Sequence, residues 1–135
     1  MTDYWLLKTE PSTYSYANLE RDGKAVWDGV TNALALKHLR TMKAGDRAFI
    51  YHTGAEKQIV GIAEIVSNPY PDRRADNPKL VVVDLKPQER LRRGVTLAEI
   101  KSRKEFADFE LVRMGRLSVM PVSAARWKRL LAVAG

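Results

Sequence analysis

The sequence contains no cysteine, which excludes disulfide bonds, thiolate metal sites and cysteine nucleophiles and is compatible with a reducing compartment. Its two histidines, His38 and His52, lie too far apart for a local metal-binding motif. No stretch approaches the roughly 20 consecutive apolar residues that a membrane-spanning helix needs. Residues 1–11 carry an acid where a signal peptide has a positive charge. We therefore expect a soluble, cytoplasmic protein with no membrane partner.

Motifs of common catalytic and phosphate-binding sites are also missing. The eight glycines form neither a G-x-G-x-x-G motif nor a phosphate-binding loop, and no serine occupies a G-x-S-x-G turn. Neighbouring acids such as Glu20 and Asp22 lie in polar segments that are typical of solvated helix faces. We therefore expect a binding module with no cofactor and no metal, and not a self-sufficient enzyme.

Positive charge is abundant and unevenly distributed along the chain. Lys and Arg number 23 against 16 acidic residues, which gives a net charge of +7. Residues 1–34 carry three bases and five acids, so the whole excess lies in residues 35–135. A segregated basic surface is typical of proteins that bind a phosphate backbone. Charge alone fits a well-solvated surface with no nucleic-acid partner as well as it fits a nucleic-acid-binding surface.

Apolar patterning predicts one α+β domain over residues 1–135, because no repeat, linker or low-complexity run divides the chain. Strands that are apolar on both faces suit a closed or strongly curled sheet with helices over its ends. The predicted strands are 4–8, 47–52, 57–66, 80–85 and 117–122, with a turn-rich loop at 67–78. Capping residues predict helices at 15–23, from 31 or 32 to 42, at 97–104 and after Ser123.

The segment YWLLKTEPSTYSY at 4–16 holds four of the eleven aromatic residues. Pro11 cannot donate a ladder hydrogen bond and forces Glu10 out of the helical region, so the first strand must end near Thr9. Lys8, Thr9 and Glu10 are therefore expected at a strand end, where side chains and freed backbone groups can face a ligand.

The segment WDGVTN at 27–32 predicts a turn that leads into a capped helix. Gly29 can let the backbone approach a ligand closely, and the helix N-terminus offers unpaired N–H donors. Taken alone, the segment fits a capped helix preceded by a buried Trp27 slightly better than it fits a binding site.

Two further segments contribute candidate residues. In FIYHT at 49–53, Tyr51 and His52 point to opposite faces of a strand, and a lone histidine at a strand end is more often a structural hydrogen-bonding residue. GRLSVMPV at 115–122 can place Arg116 and Ser118 beside the first strand. By contrast, the apolar spacing of the last helix predicts that Trp127 belongs to the core.

Read in order, YWLLKTEP, WDGVTN, GDRAFIYHT, VGIAEI and RLSVMPV resemble the EVE domain family, whose fold belongs to the PUA-like superfamily of nucleic-acid-binding barrels. The resemblance extends from Tyr4 to about Val122. It implies an α+β, PUA-like β-barrel of about five or six strands with peripheral short helices. It also implies a pocket at one end that receives a methylated or otherwise modified cytosine or adenine, in DNA or RNA.

The same resemblance implies roles for individual residues. Trp27 is expected to stand exposed as an aromatic wall, with Tyr51 near the pocket. The remaining base-binding candidates are Lys8, Thr9 and Glu10 on one side, Gly29, Val30 and Asn32 on the other, and His52, Arg116 and Ser118 closing the site. The basic surface adds candidates for phosphate contacts, which are Arg73, Arg74, Arg92 and Arg93. The family often has Arg where this chain has Thr31, and it often has an aromatic or polar residue in place of Ala33, which leaves ligand choice open.

Three alternatives stay open at this point. The chain could be an RNA-binding barrel that recognises tRNA or rRNA shape without reading a modification. It could be an enzyme, or a subunit of one, that acts on small nucleotide-like ligands. It could also be a protein-interaction module whose positive charge is incidental. The sequence leaves the oligomeric state undetermined, with a monomer favoured.

Overall fold

The computed structural model describes residues 2–135, which form seven strands and five α-helices. The strands are β1 (Tyr4–Thr9), β2 (Ala25–Trp27), β3 (Arg47–His52), β4 (Gln58–Ile65), β5 (Tyr70–Pro71), β6 (Val81–Thr96) and β7 (Val119–Val122). The helices are α1 (Tyr16–Asp22), α2 (Ala33–Thr41), α3 (Leu97–Lys101), α4 (Glu110–Arg113) and α5 (Ala124–Ala134), with a 3-10 turn at Lys104–Phe106.

Six strands form one curled sheet in the order β2-β6-β4-β3-β1-β7, and the short β5 pairs separately with β6. Only the β1–β3 pair is parallel, and the other neighbours run antiparallel. This architecture confirms the predicted α+β class with a curled six-stranded sheet and short peripheral helices. The sheet is a half-barrel, since β2 and β7 end the sheet and do not pair with each other.

All five predicted strands are present, but β6 is much longer than expected. Sequence patterning predicted a strand only to Leu85, whereas β6 continues through a polar and charged stretch to Thr96. The exposed side chains of that stretch follow no apolar alternation, although their backbone pairs with β4 through two register shifts. The three-residue β2 was not predicted either, because it is too short to show a period.

Helix starts were predicted better than helix ends. Ser15, Asn32, Thr96 and Ser123 each accept a hydrogen bond from a first-turn backbone N–H, as capping residues do. The helix predicted at 97–104 ends earlier, at Lys101, and is followed by the separate 3-10 turn and then by α4.

The apolar face of α5 completes the core against the sheet. Trp127, which is 2% exposed, stacks on Tyr4 and Phe49 with ring centroids 4.6 and 3.8 Å apart. The prediction that Trp127 is a core residue is therefore confirmed.

Close packing of α1 on β4 depends on Gly61. The Tyr16 hydroxyl donates a hydrogen bond to the Ile62 carbonyl at 2.7 Å, which lays the tyrosine ring over the Gly61 backbone. A Cβ at position 61 would clash with that ring.

We expect Gly61→Ala to lower the free energy of unfolding by about 1–3 kcal/mol, because the buried Tyr16 ring must shift to accept the added methyl. Urea denaturation measures the change. Gly115→Ala is the matched control, since a Cβ there meets nothing within 4 Å. Equal stability of the two variants would contradict this account of the packing.

Candidate binding cavity

A cavity of about 700 Å³ lies where the half-barrel fails to close. Its walls come from both ends of the sheet: Ala25, Val26 and Trp27 belong to the edge strand β2, while Ser118 directly precedes the opposite edge strand β7. The volume lies within the range of roughly 300–1,000 Å³ typical of small-molecule sites. The full lining is Lys8, Thr9, Thr13, Tyr14, Asp22, Lys24, Ala25, Val26, Trp27, Asp28, Gly29, Val30, Arg74 and Ser118.

Trp27 and Tyr14 form an aromatic corner in this lining. Their ring centroids lie 6.4 Å apart and their planes meet at 78°, an edge-to-face arrangement that aromatic pairs favour. The family resemblance implied an exposed Trp27, but the residue is only 8% exposed, closer to the buried position that the segment alone favoured. The difference arises because Trp27 pairs with Val83 of β6, which draws the indole into the core and leaves it at the cavity wall.

Hydrogen bonds from the end of β1 position Tyr14. The Thr9 hydroxyl donates to the Tyr14 carbonyl at 2.7 Å, and the Tyr14 backbone N–H donates to the Glu10 carbonyl. The Tyr14 hydroxyl donates to Asp22 at 2.9 Å. Burial and this bond to a carboxylate raise the pKa of Tyr14 to about 12, so the phenol stays protonated at neutral pH.

Lys8 supplies a partly buried cation at the cavity. Its Nζ donates to the Gly115 carbonyl at 2.9 Å and lies 5.7 Å from the centre of the Tyr51 ring. Burial lowers the pKa of Lys8, because a charged amine is costly to remove from water. The backbone N–H of Lys8 donates to the Ser118 carbonyl, which joins these two cavity residues.

The loop after β2 forms another wall. Gly29 has a φ of 77°, in the left-handed region that favours glycine. Asp28 accepts a hydrogen bond from Arg74 at 2.8 Å, and this surface ion pair connects the wall to the loop before β6.

The structure therefore brings seven of the predicted residues around one cavity, six base-binding candidates and one phosphate-contacting candidate. They are Lys8, Thr9, Trp27, Gly29, Val30, Ser118 and Arg74. The sequence analysis missed the other seven lining residues, which are Thr13, Tyr14, Asp22, Lys24, Ala25, Val26 and Asp28. Tyr14 lies in the aromatic-rich segment at 4–16, but the direction of its side chain depends on the turn after Pro11.

His52 is predicted to close the site, but it does not line the cavity. Its Nε2 accepts the Tyr16 backbone N–H at 3.0 Å, so the proton resides on Nδ1, which lies 2.9 Å from Glu56. The imidazole is 6% exposed and holds α1 against β3. Its position fits the structural hydrogen-bonding role that the sequence also allowed.

Four other base-binding candidates also lie outside the cavity lining. Glu10 accepts hydrogen bonds from Ser12 and Thr53, and Tyr51 is buried beneath Lys8. Asn32 caps α2, and together with Arg116 it lines a second, smaller cavity.

Three of the four arginines predicted to contact phosphates lie away from the cavity lining. Arg73 packs over the Tyr70 ring, and Arg92 is exposed on β6. Arg93 is held by Glu99 and by the Val133 carbonyl, so its guanidinium is already hydrogen-bonded. Val83, the partner of Trp27, is nine residues before Arg92 on β6, a path of roughly 30 Å along the strand.

Within residues 2–135, no helix has both the length and the apolar character for a bilayer crossing. The same residues contain no group of three or more His, Cys, Asp or Glu side chains arranged to hold a metal ion.

The sequence profile of the EVE domain matches residues 3–133. The chain belongs to the EVE domain family. Protein Rpa0253 of Rhodopseudomonas palustris is 43% identical, with a TM-score of 0.94 over 99% of this chain and 94% of that one. Human THYN1, solved in complex with DNA containing 5-methylcytosine, is 28% identical, with a TM-score of 0.91 over 98% of both chains. Human thymocyte nuclear protein 1 is 31% identical over 91% of this chain and 70% of its own length.

His52→Ala tests whether the imidazole is structural. We expect the free energy of unfolding to fall by about 1–3 kcal/mol, because the buried Tyr16 N–H loses its acceptor. Chemical denaturation measures this loss. Glu56→Ala is the control, since it keeps the Tyr16–His52 bond and removes only a partly exposed partner, so its effect should be much smaller.

Proposed function

We propose that residues 1–135 act as one EVE domain that binds nucleic acid and holds a modified nucleobase in the cavity beside Trp27. The base is a methylated or otherwise modified cytosine or adenine. The observation that carries this proposal is the 700 Å³ cavity, with its aromatic corner, at the open seam of the half-barrel. It is supported by the likeness to THYN1, which was solved with DNA containing 5-methylcytosine.

The aromatic corner provides affinity without strong selectivity. Stacking a base on an aromatic face contributes about 1–3 kcal/mol, and any base can stack. Burying one extra methyl group contributes only about 0.8 kcal/mol, roughly a fourfold preference. Methyl burial alone therefore distinguishes a methylated base from an unmodified one only weakly.

Sharper selectivity requires polar groups that match the edge of the base, because a mismatched base leaves them buried and unpaired. The Ser118 and Thr9 side chains, the Lys8 ammonium and the backbone at Gly29 surround the cavity and can supply them. On the edge of β2 that faces away from β6, backbone N–H and C=O groups have no neighbouring strand to pair with and can also bind the base.

A base in this cavity cannot remain stacked in a duplex. It must come from a single strand or be flipped out, which costs a few kcal/mol. Lys8, Lys24 and Arg74 line the cavity, and their positive charges attract phosphates, which offsets that cost. Lys24 and Arg74 also form ion pairs with Asp84 and Asp28, and a bound phosphate would compete with these carboxylates.

We propose binding and not catalysis, because both carboxylates in the lining are engaged. Asp22 accepts hydrogen bonds from Tyr14 and Arg21, and Asp28 accepts one from Arg74. The hydrogen bonds from Arg21 and Tyr14 lower the pKa of Asp22, which makes its carboxylate a weak base at neutral pH.

Trp27→Leu should weaken binding of a modified oligonucleotide by about tenfold or more, because it keeps an apolar side chain and removes the stacking face. Fluorescence anisotropy with matched modified and unmodified DNA and RNA oligonucleotides measures the affinities. Thermal melting checks that the variant, altered at a mostly buried position, is folded.

Trp27→Phe is the matched control, because it retains an aromatic face and should retain most of the affinity. Unchanged binding by a folded Trp27→Leu would place the base elsewhere. Equal affinity of the wild type for modified and unmodified oligonucleotides would instead favour recognition of nucleic-acid shape.

A further inference from the structure

A second cavity of about 430 Å³ is lined by two chain segments that also contribute neighbouring residues to the first cavity. Leu117, in its lining, precedes Ser118 of the first cavity, and Asn32 follows Val30 by two residues. Lys8 connects the two cavities, because it lines the first and its Nζ donates to the Gly115 carbonyl of the second. The full lining is Asn32, Leu34, Arg113, Met114, Gly115, Arg116 and Leu117.

The exposed large hydrophobic side chains lie in the linings of the two cavities. Among residues 2–135, the large hydrophobic side chains left exposed are Val26, at 41%, and Met114, at 42%. Val26 lines the first cavity and Met114 lines the second. Met114 lies with Leu34 and Leu117, so the second cavity offers an apolar floor to a flat group.

The second cavity also carries two uncommitted positive charges. Arg113 and Arg116 are exposed, and neither guanidinium lies within 4.0 Å of a carboxylate of residues 2–135. Six other arginines do form such ion pairs, which are Arg21, Arg74, Arg90, Arg93, Arg126 and Arg129. The two arginines of the cavity therefore remain available for a negatively charged partner.

We propose that the second cavity receives the nucleotide next to the modified base. Its base packs on Met114, Leu34 and Leu117, and its phosphate is bound by Arg113 and Arg116. This inference rests on the proposed function, since it requires one nucleotide in the first cavity.

Charge and continuity select this occupant. An unpaired nucleotide has an apolar face and an anionic phosphate, which match the floor and the two arginines. A strand whose modified base lies beside Trp27 can continue past Lys8, which lines the first cavity and donates a hydrogen bond to Gly115 in the lining of the second. An uncharged apolar partner would leave the arginines unmatched.

The test compares a modified nucleoside with a trinucleotide that carries the same base in the centre. The base is the one that the wild type binds best among methylated cytosines and methylated adenines. Calorimetry gives both affinities for the wild type, for Met114→Ser and for Arg113→Gln/Arg116→Gln.

We expect each variant to bind the trinucleotide about five- to tenfold more weakly and the nucleoside unchanged. In the double variant, the slope of log K against log salt for the trinucleotide should fall by about 0.7, the value for one lost single-strand phosphate contact. Arg103→Gln removes an exposed charge that lines neither cavity and should leave both affinities and the slope unchanged.

Three other outcomes overturn the inference. If both variants bind the trinucleotide as tightly as the wild type does, the second cavity does not bind the neighbouring nucleotide, and the proposed function is unaffected. An equal loss for nucleoside and trinucleotide shows that the variants act through the first cavity. A wild type that binds none of the nucleosides or trinucleotides overturns the proposed function as well.

Discussion

The end of β1 is the point on which the candidate site depends. β1 is paired on both sides, parallel to β3 and antiparallel to β7, so its backbone is fixed by two ladders. Where it stops, Lys8 bonds to Ser118 and Gly115, and Thr9 holds the carbonyl of Tyr14. These bonds bring the β7 side of the seam and the aromatic corner to the same cavity. Both edges of the half-barrel therefore contribute residues to the wall of one cavity.

Much of the fold could be predicted because its core strands and helix caps leave strong local signals. The apolar strands β3 and β4 and the capping residues Ser15 and Thr96 fall where the sequence placed them. The second half of β6 left no such signal. Its exposed, charged side chains are held in the sheet by backbone pairing with β4, and pairing between distant segments cannot be read from local patterning.

The predicted site residues divide in a similar way. The stop at Pro11 predicted Lys8 and Thr9 at a strand end, and both residues lie at the end of β1, in the lining of the cavity. Side-chain direction was harder to predict. Alternation along β3 cannot show that His52 meets the Tyr16 backbone, because that contact requires α1 to be folded over the strand. The family resemblance implied an exposed Trp27, whereas the segment taken alone slightly favoured a buried one. The pairing of β2 with β6, which draws the indole inward, leaves no signal in the local sequence.

The topology also sets the order in which the cavity can come into being. Its walls include residues 8–9, 27–30 and 118, and β7 near residue 120 pairs with β1 near residue 5. Contacts between such distant segments form late, because a long loop must close before they become favourable. A chain emerging from the ribosome starts with its N-terminal residues. The nascent protein thus displays Tyr14 and Trp27 long before Ser118 is synthesised, and the cavity is complete only after β7 has emerged.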